Sequence, residues 1–153
     1  MQLDILSAFL NYMMTRKSDV GVVERLLSGR NLVYFSTIMR DGSPQVTPVW
    51  ANCADGFVMI NTAEGRVKHH NILRDRRVAL SVTSSDDPLQ AVSVRGIVED
   101  VLPDYDYVHA DALTRQYMGR DRYPFRRPGE KRIILRIRPV SVYVMPEIRP
   151  EPD

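Results

Sequence analysis

The stretch Thr62-Ala63-Glu64-Gly65-Arg66-Val67-Lys68-His69-His70-Asn71-Ile72-Leu73-Arg74-Asp75 decides how this chain is read. Phe57-Val58-Met59-Ile60-Asn61 precedes it and Arg77-Val78-Ala79-Leu80-Ser81-Val82 follows it; both runs read as strands. Gly65 supplies a turn between them, and a short helix opens at Arg66 and Lys68. A turn into a helix start leaves backbone N–H groups unpaired and presents the positive end of the helix dipole. Arg66 and Lys68, one residue apart, make that start a pocket for phosphate or carboxylate. On the residues alone, a solvated basic helix start fits the same pattern.

Working outward towards the N-terminus, Asp41-Gly42-Ser43-Pro44 and Ala54-Asp55-Gly56 are turn signals. They bracket a strand over residues 45–51, and residues 31–39 form the strand before it, giving a three-strand meander. Pro48 cannot donate to a ladder, so it belongs at an edge, a bulge or a place left open for something else. Ser18 or Asp19 caps a helix that runs through Leu27 and stops at Gly29. Leu3, Ile5, Leu6, Phe9, Leu10, Met13 and Met14 recur at helical spacing, which makes residues 1–18 a helical extension. Towards the C-terminus, residues 77–83 and 89–102 are strands, with Gly96 at a bulge or barrel corner. Asp104 or Asp106 opens a helix that ends at Gly119, and residues 132–145 form a last strand split by Pro139. Residues 147–153 read as a frayed tail, so the domain is residues 19–146. Six short strands with small turns and peripheral helices predict a mainly β, α+β fold: a closed or partly closed antiparallel barrel.

With 153 residues the chain is long enough for one core, and 44% hydrophobic and 26% charged residues are ordinary for a globular protein. A net charge of +2 produces no global field for nucleic acid. Lone Cys53 excludes an internal disulfide, which fits a cytoplasmic protein. No apolar run approaches the ~18 residues of a membrane span, and no signal peptide is legible. His69 and His70 are adjacent on a helix and point different ways, so they do not make a metal pair. No Gly-x-Gly-x-x-Gly or P-loop pattern occurs.

The order of motifs resembles a known family. Asp41-Gly42-Ser43-Pro44-Gln45-Val46-Thr47-Pro48-Val49-Trp50, then Asn61-Thr62 to Arg66-Val67-Lys68 and Asn71, then Asp75-Arg76-Arg77-Val78-Ala79-Leu80 resemble the split β-barrel flavin and deazaflavin proteins. These are relatives of pyridoxamine 5′-phosphate oxidase, and the closer resemblance is to the branch that binds the deazaflavin coenzyme F420. Tyr117-Met118-Gly119-Arg120-Asp121-Arg122-Tyr123-Pro124 and Pro128-Gly129-Glu130-Lys131-Arg132 fit that branch as well.

The resemblance implies a six-stranded split β-barrel of the FMN-binding type, a homodimer with cofactor sites along the subunit interface, and a small-molecule substrate. It implies that Arg66 and Lys68 hold the cofactor phosphate with Thr62 and Asn71, and that Val67 belongs to the same motif. Pro48, Val49 and Trp50 would line the ring system, and Ile60 and Asn61 would support that wall. Tyr123 and Arg126 would reach the neighbouring subunit's cofactor. The function implied is hydride transfer between F420 and a small or planar organic substrate. FMN chemistry on the same fold, or a non-catalytic cofactor carrier, are the alternatives, and no acid–base residue is legible. From the residues themselves, a flavin-like ring needs an apolar slot with a phosphate anchor at its far end, and the Pro48–Trp50 segment and the Arg66 helix can supply these.

Overall fold

The computed structural model describes residues 17–145; the predicted helix over residues 1–18 falls almost wholly outside them, and the tail outside them entirely. Seven strands and three helices follow in the order α1 (Lys17–Leu27), β1 (Val33–Ile38), β2 (Pro44–Val49), β3 (Ala51–Ala54), β4 (Phe57–Ala63), α2 (Val67–Arg74), β5 (Arg77–Thr83), β6 (Ala91–Pro103), α3 (Val108–Met118) and β7 (Arg132–Val144). Ser18 and Asp19 lie inside α1 and do not cap it.

The strands form one antiparallel sheet in the order β2-β1-β5-β6-β7-β4-β3. Its two edge strands, β2 and β3, are consecutive in the chain and meet at Trp50. The sequence suggests one strand there and six in all; the structure has two strands there and seven in all. The reason is geometric. Val49 pairs with Val33 of β1, whereas Ala51 pairs with Ile60 of β4, at the opposite end of the sheet. The chain must turn a corner between them, and it does so at Trp50. This is the split-barrel arrangement. Pro44 and Pro48 both stand on edge strand β2, where a missing donor is tolerated.

Alternation builds the core. Val33, Phe35, Val58, Ile60, Val82, Val92, Leu135 and Ile137 point inward and are fully buried, and α1 lays Val23, Leu26 and Leu27 over them. Each such side chain contributes about 1.5–3 kcal/mol on burial. The half-buried Cys53 packs against this core, and burial, with Glu24 nearby, pushes its thiol up to about 12, which leaves it inert.

Gly96 sits at a β-bulge, as its sequence position suggests. A Cβ there would lie 2.7 Å from Ile137 Cγ2 and 2.9 Å from the Arg138 carbonyl. Pro139 does not split the last strand. It pairs opposite Gly96 at the bulge, where the ladder is already interrupted, so β7 runs on through it.

Candidate functional site

Four segments converge on a cavity of about 300 Å³. The β2–β3 corner brings Pro48, Val49 and Trp50; the end of β4 brings Asn61 and Thr62; the start of α2 brings Arg66 and Lys68; and the start of β7 brings Arg132. Leu32 and, from α3, Ala110 and Leu113 add apolar wall, and Tyr123 and Phe125 come from the loop after α3.

The corner is held from behind. The Trp50 ring stacks on Tyr117 at 5.1 Å between centroids and 8° between planes. The Tyr117 hydroxyl accepts the Ala51 N–H at 3.2 Å and lies within donating distance of the Asn31 carbonyl at 2.9 Å. Burial raises its pKa. Gln116 Nε2 donates to the Leu27 and Gly29 carbonyls at 2.7 and 2.8 Å, which ties α3 to the end of α1. Trp50 is thus a fixed wall.

The other end of the cavity is cationic. Lys68 is 8% exposed and has no hydrogen bond or ion pair among the described residues. Burial first, then the charges of Arg66 and Arg132, hold its amine below the ordinary lysine range. Glu130 is shared between those two arginines, at 3.6 Å from Arg66 and 3.1 Å from Arg132. One carboxylate therefore balances only part of three cations. Beside them the Thr62 hydroxyl is buried and has no partner among the described residues. Gly65, at φ 81°, makes the turn into α2, and its N–H donates to His69 Nδ1 at 3.0 Å. The first turn of α2 has neither a side-chain cap nor an acidic residue. An unpaired buried cation, an orphaned hydroxyl and an uncapped helix start are what an anion would satisfy. The residues present fit a phosphate at one end of an apolar slot.

Residues 21–146 match the family described as pyridoxamine 5′-phosphate oxidase. The chain belongs to that family. A solved structure named F420 reductase is 30% identical to this pyridoxamine 5′-phosphate oxidase relative, with a TM-score of 0.71 over 78% of this chain and 94% of that one. A conserved hypothetical protein of Mycobacterium tuberculosis is 18% identical, with a TM-score of 0.65 over 92% and 95% of the two chains. General Stress Protein 26 of Bacillus anthracis is 16% identical, with a TM-score of 0.61 over 82% and 92%. The last two show the fold alone. No curated protein matches the chain. The fold is that of a flavin-binding oxidoreductase family, and no helix among the described residues is long and apolar enough to cross a membrane.

In this family member, Pro48, Val49, Trp50, Asn61, Thr62, Arg66, Lys68 and Tyr123 come together around the cavity. Ile60, Val67, Asn71 and Arg126 do not line it. Ile60 is fully buried in the core. Val67 is 51% exposed on another face of α2. Buried Asn71 ties α2 to β1 by donating to the Thr37 hydroxyl at 2.9 Å, and accepts from Arg74 at 3.1 Å. Arg126 pairs with both carboxylate oxygens of Asp111 at 2.9 and 2.8 Å and lies over the Tyr107 ring. Sequence reasoning missed Arg132 as a wall of the site, along with the apolar Leu32, Leu113 and Phe125. Strand pairing reveals Arg132, because Ala63 lies opposite it across the β4–β7 ladder.

Proposed function

We propose that this protein is an oxidoreductase that uses coenzyme F420 to transfer a hydride to or from a small or planar organic substrate. The observation that carries this reading is the buried, unpartnered Lys68 beside the orphaned Thr62 hydroxyl, at the end of a slot walled by Val49 and Trp50. Lys68, Arg66, Arg132 and Thr62 would hold the phosphate. Pro48, Val49 and Trp50 would orient the ring, and Tyr123 and Phe125 would exclude water from it. When bound, the deazaflavin supplies the hydride chemistry. Two further features support F420. The 30% identical neighbour is named F420 reductase. An open groove also runs on from Arg66, lined by Arg66, Arg127 and Lys131 against Glu64 and Glu130, so cations outnumber carboxylates there, and F420 carries an acidic polyglutamate tail beyond its phosphate.

FMN on the same site is the second reading. The family match favours it, and the anchor does not discriminate, because its three cations serve one phosphate as well for FMN as for F420. We propose also that the protein acts as a homodimer in the reducing cytoplasm, with each cavity completed at the subunit interface. Leu32 and Phe125, both at the cavity, are 46% and 58% exposed in the single chain, and a second subunit would cover such apolar groups. The absorption spectrum as purified, followed by fluorescence titration with F420 and with FMN, tests the reading. F420 binding with turnover of an electron acceptor supports it. Yellow protein that releases FMN on denaturation moves the assignment to FMN, and binding without turnover moves it to a carrier.

A further inference from the structure

Arg132 is 7% exposed, so its rotamer is set by what touches it. Its Nε donates to Asn61 Oδ1 at 2.8 Å, its Nη1 donates to Glu130 at 3.1 Å, and its guanidinium lies 4.9 Å from the centre of the Tyr123 ring. The Nε bond exists only if the oxygen of the Asn61 amide faces Arg132. The other end of that amide decides this. Asn61 Nδ2 donates to Asp104 Oδ2 at 2.8 Å and lies 3.2 Å from His109 Nδ1. On the far side of the ring, His109 Nε2 lies 3.0 Å from Asn52 Oδ1, an atom that can only accept. Nε2 therefore carries the proton, and Nδ1 is left free to accept from Asn61. Asp104 fixes the backbone under the ring, accepting the His109 and Ala110 N–H groups at 2.8 and 3.0 Å.

We propose that His109 is a positioning residue: through Asn61 it aims the Arg132 guanidinium at the cavity and so sets how tightly the site holds a phosphate-bearing ligand. The ligand part rests on the cofactor reading above; the aiming does not. If His109 took a second proton, Nδ1–H would face Nδ2–H. Asp104 Oδ2 still holds Nδ2–H, so the amide keeps its sense but is pushed away from the ring, and its Oδ1 shifts off Arg132 Nε. Burial keeps the imidazole neutral. Of the charged groups facing it, Asp104 favours protonation, and Arg132 on β7 opposes it; Asn52 on β3 and Asn61 on β4 are uncharged.

The test has a ligand-free arm and a ligand arm. In nitrogen-15 NMR of the ligand-free protein, His109 shows the neutral Nε2–H form and Arg132 Nε–H exchanges slowly. H109L, which removes both ring contacts, makes that resonance exchange fast. H109Q, whose amide supplies one acceptor and one donor, restores it. In fluorescence titrations with FMN and F420, H109L weakens binding on the order of tenfold, R132M by at least as much, and H109Q by no more than about twofold. Acidification weakens binding more in wild type than in H109Q. The ionisation of the ligand's own phosphate acts on both proteins and so cancels, and this comparison needs no leucine variant that folds. An unchanged Arg132 resonance in H109L overturns the proposal, as do equal losses in H109L and H109Q. If wild type binds neither cofactor, the cofactor reading falls, and the Arg132 resonance alone decides the aiming.

Discussion

Replacing Lys68 by methionine separates what this residue does for the ligand from what it does for the fold. The side chains are similar in length, so packing is kept while the charge is removed. Lys68 makes no ion pair among the described residues; its burial first, and then the charges of Arg66 and Arg132, hold its pKa below the ordinary 10.5. A structural lysine in that position would have a carboxylate. Without a ligand the charge is a burden on folding, so K68M should melt at or above the wild-type temperature. With a phosphate in place the amine makes a charge-assisted hydrogen bond, whose loss costs about 1.5–3 kcal/mol. That is roughly a ten- to hundredfold weaker Kd for F420 or FMN. Thermal melts with and without cofactor read both effects together, because ligand stabilisation scales with occupancy. The variant should start as stable as wild type and gain less from cofactor. Linkage adds a pH signature. Since the folded pKa is lowered, wild-type affinity should decline as pH rises through it, before reaching 10.5, and the decline should be absent in K68M. A variant that binds as tightly as wild type refutes the anchor. One that is less stable and binds normally would make Lys68 a structural residue.

Three other outcomes follow from the packing. Gly96→Ala should destabilise the fold by about 1–3 kcal/mol in urea unfolding, because the added methyl meets the Arg138 carbonyl as well as the Ile137 side chain, and backbone cannot swing aside; an unchanged midpoint would refute this. Tyr117→Phe keeps the ring against Trp50 but removes the hydroxyl that accepts the Ala51 N–H, and should cost about 1–2 kcal/mol; Trp50 fluorescence that unfolds in step with the wild type's would show the corner is held otherwise. Acid should destabilise the protein in part through His109. Its folded pKa lies below 6.5, so between those values the unfolded chain binds a proton that the folded chain refuses, and stability falls as pH drops below about 6.5. The slope of stability against pH should flatten there in H109Q, and an identical slope would exclude His109 as the source.

Local chemistry made much of this fold legible. Asp55-Gly56 marks a hairpin because two successive positive φ values suit a tight turn between strands, and Gly119 ends α3 in the left-handed conformation. Gly65 marks the turn into α2, with Arg66 and Lys68 at its start, because a turn into a helix start is built within a few residues. Features that depend on distant pairing were not legible in this way. Trp50 reads as mid-strand until β2 and β3 are seen at opposite edges of the sheet. Pro139 reads as a break until Gly96 is seen across from it. Arg132 reads as one more basic residue in a basic loop until the β4–β7 ladder sets it beside Thr62 and Ala63. Asn71 fits the binding motif by spacing, yet its amide is turned to β1, an orientation no spacing encodes.

The most direct measurement is a crystal structure of the protein grown with F420 and, separately, with FMN. Phosphate oxygens are expected within hydrogen-bond distance of Lys68 Nζ and the Thr62 hydroxyl, with the ring system in the slot beside Val49 and Trp50. A ligand bound at another site, with Lys68 still unpartnered, would contradict that placement.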